Sequence, residues 1–179
     1  MIETVIDSIR ATLITQHRVL FLREVGGERH LPIWIGEFEA SAIVLEMQGT
    51  TPQRPLPYDL MTSMLTDLDA RVVRVVINDL SRDIYYARIV IERAGQIVEI
   101  DSRPSDAIAI AVRAQCQIFV DDAVMDRAGV NIADDEQIEI ETAAESGERE
   151  VIGQTEEELT LFRDFINTID LEDPDARNN

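Results

Sequence analysis

The stretch "DIYYARIVIERAGQIVEIDSRPSDAIAIAVRAQCQIFV", Asp83 to Val120, decides how this chain folds. Two β-rich runs flank Ala94-Gly95, a dipeptide suited to a tight turn, and predict a hairpin. Counting outward from that turn sets Ile91 opposite Val98 and Ile89 opposite Ile100, so the apolar faces coincide. The pattern then changes period. Arg103-Pro104-Ser105-Asp106 precedes an alanine-rich run to Ala114 that reads as a helix, and "QIFV" after it reads as a short buried strand. Pro104 suits the first helical turn. Ser105 is one candidate N-cap, and Asp106 is a candidate to face the positive helix end from the first turn.

Upstream, "RVLFLREVGGERHLPIWIG" predicts a second hairpin closed by Gly26-Gly27. Leu20 and Leu22 share a face with Leu31, Ile33 and Ile35. Val19 and Phe21 share the other with Pro32 and Trp34, so both faces call for cover: one from the core, the other from a second subunit. Pro32 cannot donate to a ladder, which places its strand at an edge. Gly36 and Gly49 bracket a helix with Phe38, Ala42 and Leu45 on one stripe. "TTPQRPLPYD" is a proline-punctuated loop, and "YDLMTSMLTDLD" a helix with Leu60, Met64, Leu65 and Leu68 inward. "ARVVRVVINDL" alternates, with Val73, Val75 and Ile77 on one face and Asp79 continuing it. "DDAVMDRAG" is a short helix ending at Gly129. No repeat occurs. The fold class is α+β, a mixed or antiparallel sheet built from hairpins with packed helices.

Three regions are expected: a folded domain over 1–130, an acidic linker over 131–154 with "QIEIET" as a short strand, and a C-terminal helix and tail over 155–179. Thr155 and Glu158 form a capping box there, before an apolar stripe of Leu159, Phe162, Phe165, Ile166 and Ile169.

The 179 residues are 45% hydrophobic, enough for a real core, and include one cysteine, Cys116, which excludes an internal disulfide. The N-terminus lacks a signal-peptide pattern and no apolar run is long enough to span a bilayer, so a soluble cytoplasmic protein with no membrane partner is expected. The net charge of −19 is uneven. Residues 1–120 hold 16 acidic residues and 12 arginines, whereas 121–179 hold 19 and 4. A basic groove is therefore compatible with the first two thirds. The chain has no lysine, so every fixed side-chain cation is a guanidinium suited to bidentate phosphate contacts.

Standard nucleotide-binding, serine-hydrolase and zinc-protease motifs are missing, and one cysteine with two histidines, His17 and His30, cannot form the usual structural zinc site. What remains is carboxylate and arginine chemistry. Arg103, Ser105 and the free N–H groups of the helix start read either as a capped helix or as an anion site. Glu39 sits in the first turn of its helix, Arg54 and Asp59 flank the proline loop, and Asp79 ends a strand on its apolar face, where it needs a partner or a metal. Such carboxylates and arginines are able to hold a divalent cation (Mg2+ or Mn2+) and neutralise a phosphodiester.

The segments "LPIWIGEFEASAI" (Leu31–Ile43), "RPLPYDLM" (Arg54–Met61), "VINDL" (Val76–Leu80) and "IDSRPSDAIAIAVR" (Ile100–Arg113) resemble the bifunctional nuclease domain family, over roughly residues 3–130. The resemblance implies a wedge-shaped homodimer with a groove as active site and hydrolysis of both DNA and RNA without marked sequence specificity. Carried over by position, Glu39, Asp59, Asp79, Arg103 and Asp106 are the catalytic set, with Asp79 and Glu39 as metal candidates and Arg54, Tyr58 and Ser105 as substrate binders. The family commonly has Thr-His where this chain has Pro57-Tyr58, and a tyrosine is no general base near neutral pH. The alternative is a non-catalytic oligomeric scaffold or regulator that keeps the fold.

Overall fold

The computed structural model describes residues 1–11 and 18–131. In chain order the elements are β1 (Ile2–Ala11), β2 (Arg18–Glu24), β3 (Arg29–Ile35), α1 (Glu37–Met47), α2 (Pro57–Asp67), β4 (Ala70–Ser81), β5 (Ile84–Arg93), β6 (Gln96–Ser102), α3 (Pro104–Ala114), β7 (Gln117–Val120), α4 (Asp122–Ala128) and β8 (Val130–Asn131). Apart from Asn131, which belongs to β8, the linker, the "QIEIET" strand and the C-terminal helix expected from the sequence lie outside the described residues.

The strands form one eight-stranded sheet in the order β6-β5-β4-β7-β1-β2-β3-β8. Among the described strands only β4 and β7 run parallel; every other pair is antiparallel. The fold is thus α+β with a mixed sheet, as expected. Both predicted hairpins have the expected register: Leu22 faces Leu31 and Leu20 faces Ile33, while Ile91 faces Val98 and Ile89 faces Ile100. The second turn places Ala94 and Gly95 at φ 50° and 74°, the left-handed pair that matches strand twist. Pro32 lies beyond the short β8 pairing, which reaches only Arg29 and His30, so its missing N–H costs no ladder bond.

The core lies between the helices and one face of the sheet. Leu20, Leu22, Leu31 and Ile33 from the first hairpin meet Val75, Ile77 and Ile89 from the second half and Ala107, Ile108 and Ala111 from α3. Each fully buried Leu or Ile contributes about 1.5–3 kcal/mol. Alanines at 107, 109 and 111, all buried, let α3 approach its neighbours closely. Gly129 ends α4 without a left-handed turn. Its reason is space: a Cβ there would lie 2.4 Å from the Met125 carbonyl oxygen.

Five expectations fail locally. Val73 leaves the core face, because a bulge between Val72 and Arg74 brings Val72 into phase with Val75 and Ile77. The inward face of α1 is Ala40, Ala42 and Ile43, and Phe38 is 87% exposed, because small residues set the contact with α3. In α2, Leu60, Met64 and Leu68 are exposed and only Leu65 of the expected set packs on the core, together with Tyr58. An ion pair described below sets that rotation. Asp79 is not on the apolar face. A bulge between Ile77 and Asp79 shifts the alternation by one residue and turns it to solvent. Ser105 is not the N-cap of α3; Arg103, extended at φ −70° and ψ 148°, holds that place. Among the described residues no helix is long and apolar enough to cross a membrane.

Candidate active site where three helices begin

α1, α2 and α3 each carry an acidic residue in the first turn: Glu39, Asp59 and Asp106. Carboxylates there offset the unsatisfied N–H groups and the positive end of each helix. Arg103 draws two of them together. Its Nε donates to Asp106 Oδ2 at 2.7 Å, and its Nη2 donates to Asp106 Oδ1 and to Glu39 Oε1, both at 2.9 Å. The X-Pro bond favours this geometry, since Pro104 keeps Arg103 extended and lets its side chain fold back over the first turn. No described residue accepts from Arg103 Nη1, and the side chain is 67% exposed. The guanidinium is therefore clamped on one edge and open on the other.

Tyr58, from the first turn of α2, closes the cluster by donating its hydroxyl to Asp106 Oδ1 at 2.7 Å. Burial, then the hydrogen bond to that carboxylate, push the phenol pKa above its ordinary value. Burial disfavours the Asp106 carboxylate, but the hydrogen bonds from Arg103 and Tyr58 outweigh it and hold the carboxyl below its usual range. The Asp106 hydrogen bond comes first among the causes that raise Arg103 further. At neutral pH the trio is a protonated phenol, a carboxylate and a guanidinium. Neither Tyr58 nor Asp106 is poised to accept a proton.

A second pair holds the three helices in place. Arg113 Nε, in the last turn of α3, donates to Asp59 Oδ1 at 2.6 Å, and its Nη2 donates to the Ala42 carbonyl of α1 at 3.3 Å. Its guanidinium lies over the Tyr58 ring, 5.4 Å from the centroid. Asp59 Oδ2 also accepts the Leu56 N–H at 2.7 Å, which fixes the start of α2. With Asp59 and Tyr58 drawn toward α3, the Leu60, Met64 and Leu68 side of α2 turns outward. The hydrogen bond from Arg113 lowers the Asp59 pKa. Arg113 was not among the sequence candidates, although it closes the "SRPSDAIAIAVR" block one helix length from Arg103.

The expected residues thus divide. Glu39, Tyr58, Arg103 and Asp106 meet. Asp59 is adjacent but committed to Arg113. Ser105 is buried, 7% exposed, beneath the first turn of α3. Arg54 is exposed in the loop before α2 and has no ion-pair partner among the described residues. Asp79 stands at the end of β4, where its Oδ1 accepts the Leu80 N–H at 2.8 Å. His30 is buried, with Nδ1 2.8 Å from the Glu28 carbonyl oxygen; His17 lies outside the described residues.

A dedicated divalent-cation site does not fit this donor set. Glu39 Oε1 and both Asp106 oxygens are already taken by Arg103 and Tyr58. Among the described residues no three His, Cys, Asp or Glu side chains gather as ligands.

Beside the cluster lies a cavity of about 520 Å³, lined by Met61, Ile84, Tyr85, Tyr86, Ile89 and Ile110, with Asp101, Ser102, Arg103 and Asp106 completing the wall. Its size falls within the usual range for ligand pockets.

Residues 20–133 match the bifunctional nuclease domain. An uncharacterized protein of Mycobacterium tuberculosis is 36% identical over 171 residues, covering 96% of each chain. Bifunctional nuclease 1 of Oryza sativa subsp. japonica is 26% identical over 119 residues, which cover 65% of this chain and 36% of the plant protein. Bifunctional nuclease 2 of Arabidopsis thaliana is 27% identical over 135 residues, covering 73% and 41%.

Proposed function

The chain belongs to the bifunctional nuclease domain family, and from that premise we propose that it hydrolyses phosphodiester bonds of DNA and RNA without marked sequence specificity. The observation that carries the reading is the half-committed guanidinium of Arg103. Its Nε and Nη2 are locked by Asp106 and Glu39, and Nη1 is left to meet an anion. A locked arginine holds a phosphate in one orientation at little entropic cost, and its charge offsets the charge that builds on the phosphoryl oxygens. Asp106, kept ionised, fixes Arg103 rather than moving a proton. Glu39 is the carboxylate assigned to orient the attacking water, because Oε2 takes no hydrogen bond from a described residue. Tyr58 stays protonated and holds Asp106.

Plasmid DNA and RNA digestion tests this reading, with Mg2+, Mn2+ or EDTA in parallel arms. Arg103→Ala is expected to lower the rate on the order of 100-fold. Arg103→Lys restores little, because an ammonium cannot replace the fork. Cleavage that survives both substitutions overturns the assignment.

We also infer a cytoplasmic homodimer. Leu60, Met64 and Leu68 of α2 and Ile97, Val98 and Ile100 of β6 are exposed apolar side chains that a second copy would cover. A scaffold without catalysis draws on the same apolar surfaces. Nuclease-free protein that is dimeric by light scattering and inert in every arm of the digestion would favour it.

A further inference from the structure

The apolar cavity beside Arg103 has no part in holding a phosphate, yet it opens on the residue assigned to do so. We propose that it is a nucleobase slot: one base of a single strand, turned out of its stack, enters between Met61 and Tyr85 while Arg103 takes the adjoining phosphate. The inference rests on the phosphodiester reading of Arg103 and adds the form of the substrate to it.

Three observations support it. First, the lining has an apolar and a polar part. Met61, Ile84, Tyr85, Ile89 and Ile110 are apolar or aromatic, and the polar part is Arg103, its one cation, with Ser102, Asp101 and Asp106. Base–aromatic stacking tolerates every base, since each has a π-face, which agrees with a nuclease of low sequence preference. Second, the slot is accessible. Met61 is 46% exposed and Tyr85 is only partly buried, so a planar group reaches them from solvent. Third, the guanidinium is held toward Glu39 and Asp106 through Nε and Nη2, leaving Nη1 for the phosphate. A base paired inside a duplex cannot reach such a slot without being flipped out, which costs a few kcal/mol. Single-stranded DNA, RNA loops and free ends are therefore the substrates the slot selects.

Binding separates this claim from the reading beneath it. Fluorescence anisotropy would compare three labelled, phosphorothioate-linked ligands on the full chain: a single strand, the same strand as a duplex, and an abasic strand of equal length. The single strand is expected to bind about tenfold tighter than the abasic one, the effect of one stacked base. Tyr85→Ala, which removes one wall, and Met61→Trp, which fills the slot, should each erase that difference while leaving abasic affinity unchanged. Met61 is exposed and Tyr85 half-buried, and circular dichroism checks that the variants fold. Equal binding of base-bearing and abasic strands by the native chain overturns the slot but leaves the phosphate site. A difference that survives both variants also overturns it. If no strand binds, abasic included, the phosphodiester reading falls and the slot falls with it. If Met61→Trp alters the mass in light scattering and leaves the difference intact, the cavity is an interface between copies and the proposal is wrong.

Discussion

Replacing Asp59 with alanine strips the carboxylate from a guanidinium that is nearly out of water. The Arg113 side chain is 5% exposed and that of Asp59 25%. Removing one member of a buried pair costs about 3–5 kcal/mol, because the remaining charge stays buried and uncompensated. Three features lower the figure here. Water reaches part of Asp59, Glu46 Oε2 stands 4.0 Å from Arg113 Nε, and the Ala42 and Ala109 carbonyls still accept from Nη2 and Nη1 of Arg113. One feature raises it, the lost bond from the Leu56 N–H, a cap-like contact of about 1 kcal/mol. The expected loss is about 3 kcal/mol. Urea unfolding followed by circular dichroism measures it, and a cycle with Arg113→Met isolates the coupling. The double variant should be more stable than Asp59→Ala alone, since methionine leaves no stranded charge. The pH dependence has a definite sign. The folded pKa of Asp59 lies below its ordinary 3.8, so the pair stabilises above about that pH and the benefit is lost as pH falls through the folded value. The penalty of Asp59→Ala should therefore be full at neutral pH and shrink in acid. A loss below about 1 kcal/mol, the worth of a surface pair, refutes the reasoning, as does a double variant no better than the single one.

Further outcomes follow from the same geometry. Gly129→Ala places a methyl against the Met125 backbone and should cost about 1–3 kcal/mol, read as a lower urea midpoint. Ala94→Gly relieves a left-handed residue in the β5–β6 turn and should stabilise by about 1 kcal/mol, seen as a higher melting temperature. Tyr58→Phe removes the hydroxyl from Asp106 and should destabilise by about 1 kcal/mol. It should also raise the Asp106 pKa toward its ordinary value, measurable by NMR titration of the carboxyl carbon, and an unmoved pKa would count against the contact.

Much of the fold is legible where local chemistry and global packing agree. Gly26-Gly27 and Ala94-Gly95 set two hairpin registers, and the Pro104 start and alanine run give α3. Legibility ends where a local signal is weak or a distant contact overrides it. β1 is not read from the sequence as a strand, yet Ile2, Thr4 and Ile6 alternate, and that signal was sufficient to find it. The β4–β5 turn has no glycine: Arg82 and Asp83 take φ 49° and 62°, a shape that β-propensity does not announce. The bulge that exposes Asp79 leaves no mark in an alternating run. At the candidate site, Glu39, Arg103 and Asp106 are named from their places at helix starts and Tyr58 from the family resemblance, and the fold brings these four together. Arg113 is not, because a basic residue in a last helical turn looks like ordinary surface chemistry until its neighbours are known.

The parallel contact between β4 and β7 has a bearing on synthesis. Gln117–Val120 lies between β1 and β4 and, among the described residues, is the only strand that joins the N-terminal hairpin group to the later one. During translation, β1–β3 and β4–β6 emerge as two incomplete sheets, each with an unpaired margin, and neither can be sealed until these four late residues leave the ribosome. A nascent chain halted before Gln117 would carry two unjoined sheet halves with open margins, so the closing event of assembly falls to one of the shortest of the described strands.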